Sequence, residues 1–131
     1  MNPTTVVEKA YKLIYLVDVP EAIPEAEIII TDDWKKYMRE IIYEIAFMVY
    51  RGKAYKTVRD VLTFNSFKLL YKLDKEESET EILKEFIKLV HMYVSHSLRN
   101  RLDLIYNKEK WNIIYNALNE FDNLIKQWDL S

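Results

Sequence analysis

A single glycine, Gly52, occurs in the 131 residues of this chain. Average usage is roughly 7%. Backbone that turns through positive φ, or that must approach a phosphate closely, relies on glycine. The sequence therefore offers no glycine-rich phosphate loop and no two-residue hairpin of the Asn-Gly or Asp-Gly kind. Helices joined by short connectors need neither.

The apolar spacing points the same way. Asn2 and Pro3 read as an N-cap and a first-turn proline. The helix they open runs to about Val17, with Val6, Tyr11 (or Ala10), Ile14 and Val17 on one face. Residues 18–30 form a connector broken by Pro20 and Pro24, and residues 26–30 within it are extended or a short strand. Thr31, Asp32 and Asp33 open the next helix, with acids at the positive end of its dipole. Its core face is Trp34, Tyr37, Met38, Ile41, Ile42, Ile45, Met48 and Val49, at the i, i+3, i+4, i+7 spacing. Arg51 and Gly52 end it.

Residues 57–73 are expected to be helical, with Val58, Val61, Leu62, Leu69 and Leu73 inward; two short strands are the alternative, given the Thr, Val and Phe content. Ser78 and Glu81 have capping-box spacing ahead of a helix from 79 to about 106, led by Ile82, Leu83, Phe86, Val90, Tyr93 and Val94. Asn107 caps the last helix, whose inner face is Trp111, Ile114, Leu118, Phe121, Ile125 and Trp128. The length suits one domain, residues 1–131, and the expected architecture is an all-α bundle of four to five helices with short connectors.

Little in the sequence resembles chemistry. Without cysteine there is neither a disulfide framework nor a thiolate zinc site. The two histidines, His91 and His96, lie in HMYVSHSLRNR. Five residues apart on a helix, they diverge by roughly 140°. They cannot share a metal as an i, i+4 pair does, and no nearby carboxylate is expected to complete a site on either face. The stretch reads as polar helix surface; the alternative is an anion site made by His96, Arg99 and Arg101 at a bend near residue 100. No catalytic residue, cofactor or metal is assigned.

Three surfaces suggest partners instead. Tyr43, Phe47 and Tyr50, spaced i, i+4, i+7, lie opposite the core face of the second helix. Such a helix is either central in its own bundle or buried by another chain. Asn112, Asn116, Asn119 and Asn123 line the outer side of the last helix. They are a wet face or a neutral hydrogen-bonding strip for a neighbouring subunit, one that keeps its character in acid. Between Arg51 and Lys72 six basic residues (Arg51, Lys53, Lys56, Arg59, Lys68 and Lys72) face one acid, Asp60, with Tyr55, Phe64, Phe67 and Tyr71 interleaved. Nucleic acid is conceivable there, as a less favoured reading. Residues 18–33 carry six acids and no base, so head-to-tail pairing between copies would use the same charges. The formal net charge is −2, no stretch approaches a membrane span, and no signal pattern opens the chain, which is expected to be soluble and unprocessed.

Lys, Ile, Tyr and Glu are abundant, and enrichment in Lys and Glu with few labile residues is a hot-environment signature, although eight asparagines run against it. In the stretches EKAYKLIYLVD, REIIYEIAFMVYRGKAYK and EKWNIIYNALNEF, and in length and helical make-up, the chain resembles the small virion structural proteins of the two-tailed, spindle-shaped viruses of hot-acid archaea. The resemblance implies a non-catalytic, self-associating helical building block. Its partners would be itself or other virion proteins, and its location the virion, with the host cytoplasm before assembly.

Overall fold

A computed structural model describes residues 2–31, 33–49 and 56–129. Among them are five long helices and one helical turn: α1 (Pro3–Asp18), α2 (Trp34–Met48), α3 (Lys56–Asp74), α4 (Glu79–Asn100), α5 (Leu102–Ile105) and α6 (Lys108–Asp129). No strand occurs among the described residues, so the fold is an all-α bundle. Residues 57–73 are helical, and the 26–30 segment lies irregularly against the bundle rather than in a ladder.

Local chemistry sets several helix ends. The Asn2 side chain accepts from the Thr4 N–H at 2.9 Å, and Asp33 accepts from the Lys36 N–H at 3.4 Å. Asn107 accepts from the Lys110 N–H at 3.1 Å. Each satisfies one of the four donors that a helix start leaves unpaired. Ser78 precedes α4 but its hydroxyl makes no capping bond, so the capping-box expectation fails; only its carbonyl is used, by the Ile82 N–H. The Gly52 helix stop lies outside the described residues.

The helix expected to run from 79 to about 106 breaks at Arg101, whose backbone is extended (φ −97°, ψ 98°). The cause is tertiary. The Arg101 guanidinium bonds the Val17 carbonyl at the end of α1 and clasps Asp103 through two bonds of 2.6 and 2.8 Å. Asn100 closes α4 by donating from Nδ2 to the His96 carbonyl at 2.8 Å.

α4 is the central helix. It packs against α1, α2, α3 and α6, and buries Ile82, Leu83, Phe86, Ile87, Leu89, Val90, Tyr93, Val94 and Leu98. α2 packs between α1 and α3 and buries Met38, Ile41, Ile42 and Ile45. Trp34, Tyr37 and Met48 lie partly buried against the core. Phe121 of α6 and Phe86 of α4 are the largest fully buried side chains. α3 is rotated slightly from the expected phase. Leu62, Leu69 and Leu73 are buried, but so is Ser66, and Val61 faces outward. The Ser66 hydroxyl has no hydrogen-bond partner among the described residues. The start of the connector is held from outside: Lys110 Nζ donates to the Val19 and Pro20 carbonyls at 3.2 and 2.9 Å.

Candidate protein interface on α2 and α3

The second helix raised a choice between a central position and a face left for another chain. The structure places α4, not α2, at the centre, and the outer face of α2 is open. Tyr43 is 56% exposed and Phe47 51% exposed. Tyr50 lies outside the described residues. α3 runs antiparallel beside α2, and Arg39 near the start of α2 pairs with Asp74 at the end of α3 at 3.0 Å. That register brings Thr63 and Phe67 against Tyr43 and Phe47, around a groove of about 600 Å³ that Glu40 also borders.

The band continues over the crest of α3. Phe64, Phe67 and Tyr71 are 67%, 60% and 61% exposed. Their spacing of i, i+3, i+7 makes one stripe. The sequence pattern showed these rings only as residues interleaved with a basic segment. The signal that could have singled them out is their phase, opposite Leu62, Leu69 and Leu73. Five rings exposed by half or more, at roughly 200 Å² each, leave about 600 Å² of aromatic surface open. That is at the upper end of the largest apolar patch on a typical monomer.

The other sequence-derived surfaces fare differently. Asn112, Asn116, Asn119 and Asn123 are all exposed on α6, and their side chains make no hydrogen bond among the described residues. Of the described basic residues in this segment, Arg59, Lys68 and Lys72, one is turned away to another helix. Lys72 is turned to Glu85 of α4, and that hydrogen bond, with Glu77 and Glu81 nearby, raises its pKa. Arg59 is half-buried and Lys68 exposed. Arg51, Lys53 and the Lys56 side chain lie outside what the structure describes.

The histidine window does gain a carboxylate, from another helix. His91 Nε2 lies 4.0 Å from Asp122 Oδ1 of α6, and Ser95 Oγ lies 3.5 Å from His91 Nδ1. The expectation that no carboxylate would be near is thus corrected: packing of α6 on α4 supplies it. The order serine, histidine, carboxylate is that of acyl-transfer enzymes, but the parts are slack and Ser95 sits inside a helix. The amides around it are spent on the helix ladder, so no pair of N–H groups is aimed at a developing oxyanion. The alternative anion site does not assemble. Arg101 is taken up by Asp103 and the Val17 carbonyl. Burial, then the neighbouring Arg99 charge, lowers the His96 pKa and favours its neutral form.

One buried polar cluster stands apart from these surfaces. Tyr93 Oη donates to Asp18 Oδ1 at 2.7 Å, while Asp18 Oδ2 is buried with no partner. Burial pushes the Asp18 carboxyl from 3.8 up to about 6; Glu44 adds to the rise, and the Tyr93 bond and Arg101 oppose it. The Tyr93 hydroxyl is pushed up in turn, by its own burial and by Asp18. A cleft of about 350 Å³ opens beside the pair, reaching Ser97, Asn100 and Arg101. Among the described residues no three His, Cys, Asp or Glu side chains gather as a metal site, and no helix is long and apolar enough to cross a membrane.

No protein-family model, curated protein or solved structure matches this chain.

Proposed function

We propose that this chain is a non-catalytic structural protein that works by associating with copies of itself, as a component of an archaeal virus particle. The observation that carries the reading is the aromatic band of Tyr43, Phe47, Phe64, Phe67 and Tyr71, five rings exposed side by side on α2 and α3. A monomer gains nothing from exposing that much ring surface, whereas an interface does. Tyrosine and phenylalanine suit the task because they are rigid and bury a large area for two torsions. The virion assignment rests on the resemblance of the sequence to the virion proteins of two-tailed archaeal viruses; the fold is compatible with it. The exposed asparagines of α6 would form a second, uncharged contact able to persist in acid. Purified particles test the proposal. The chain should remain with intact particles through a density gradient and a high-salt wash. Its absence from particles, with abundance only in the soluble cell extract, would overturn the virion assignment.

A further inference from the structure

The band has an order across it as well as an area. On α2, moving outward from α3, the helix turn presents Ala46, then Tyr43, Phe47, Glu40 and finally Glu44. Glu44 stands on the far crest, where it borders both the groove with Phe47 and the cleft with Asp18. On α3 and the residue that follows it, moving outward from α2, the order is Thr63, Phe67, Tyr71, Phe64, then Lys75 and Lys68. Lys75 Nζ lies 5.5 Å from the Tyr71 ring centroid, at the edge of the band. Asp60 sits at the far end, in the first turns of α3. An apolar strip is therefore bounded by two carboxylates along its α2 edge and two ammonium groups along its α3 edge. Glu40, Glu44 and Lys68 are exposed, and none forms an ion pair among the described residues.

The levels along the helices match too. With Arg39 beside Asp74, antiparallel α2 and α3 put Glu44 level with Leu69, next to Lys68, and Glu40 level with Leu73, near Lys75.

We propose that two copies of this chain pair face to face through α2 and α3, about a two-fold axis parallel to those helices, so that α2 of each lies over α3 of the other. This rests on the self-association reading and specifies its geometry. Rotation about that axis exchanges the two edges while keeping the levels. It sets Glu44 against the partner's Lys68 and Glu40 against the partner's Lys75. A two-fold axis across the helices would instead stack α2 on α2 and place carboxylates against carboxylates, which is disfavoured. The area is adequate. About 600 Å² of ring surface, widened by the charged rim, approaches the roughly 800 Å² per partner of a standard interface. Because the interface is isologous, each pair occurs twice and each fault is doubled.

The test is a charge exchange read by sedimentation velocity at low salt, with circular dichroism confirming the fold of each variant. Glu44→Lys and Lys68→Glu each set like charges opposite one another twice per dimer, and each should raise the dimer dissociation constant about tenfold. The combined variant restores opposite charges and should return to within about threefold of the unmodified chain. Phe67→Asp, at the middle of the band, should abolish pairing. If the unmodified chain pairs but neither the charge variants nor Phe67→Asp change its mass, self-association stands and this face is overturned. If both single variants weaken pairing and the combination does not recover it, the parallel two-fold is overturned. A chain that stays monomeric at every concentration overturns both the geometry and the reading beneath it.

Discussion

Asp18 makes the stability of this bundle depend on pH in the direction opposite to most carboxylates. Its pKa is 3.8 when free and about 6 in the fold, chiefly because burial penalises the charged form. The native state therefore holds the proton more tightly than the unfolded chain does. Stability from this group is fully present below pH 3.8, falls as pH rises, and is lost by the time pH exceeds about 6. At about 1.36 kcal/mol per pH unit the span corresponds to about 3 kcal/mol. Asp18 is only partly buried, and solvent screening reduces the expected effect to about 1–2 kcal/mol. Asp18→Asn removes the titration and keeps an oxygen for the Tyr93 hydroxyl. Urea unfolding of both proteins isolates the group, since the difference between them cancels every other carboxylate. Near pH 7 the variant should be more stable by about 1–2 kcal/mol. Near pH 3.5 the two should agree to within about 0.5 kcal/mol. A gap of the same size at both pH values would refute the reasoning. So would a native protein that gains on the variant as pH rises.

Two further outcomes follow from the packing. Phe86→Ala, which empties a fully buried site at the centre of α4, should cost about 3–5 kcal/mol in chemical denaturation with the denaturant slope unchanged. Asn107→Ala should cost about 1 kcal/mol, measured the same way, because the Lys110 amide loses its cap.

Much of the fold was legible because helix periodicity and capping are local. Asn2, Asp33 and Asn107 mark helix starts that the coordinates place within a residue or two of expectation. The inward faces of α2 and α4 follow from spacing alone. What the sequence left open depended on contacts distant along the chain. α4 stops at Arg101 because its guanidinium reaches Val17, a partner no local pattern reveals. Asp122 meets His91 only because α6 folds back on α4. The choice of central helix was hidden because α2 and α4 are both apolar over much of their circumference, and only assembly decides which is enclosed. Phe64, Phe67 and Tyr71 were visible as aromatic residues but not as one surface with Tyr43 and Phe47. That required the antiparallel register that Arg39 and Asp74 mark.

The mass of the unmodified chain in solution bears most directly on the central claim. Multi-angle light scattering from about 1 µM to about 1 mM covers association free energies of roughly 8 to 4 kcal/mol. A weight-average mass that climbs with concentration from one chain toward two or more is the result expected of an open aromatic face. A mass fixed at one chain throughout that range would contradict it.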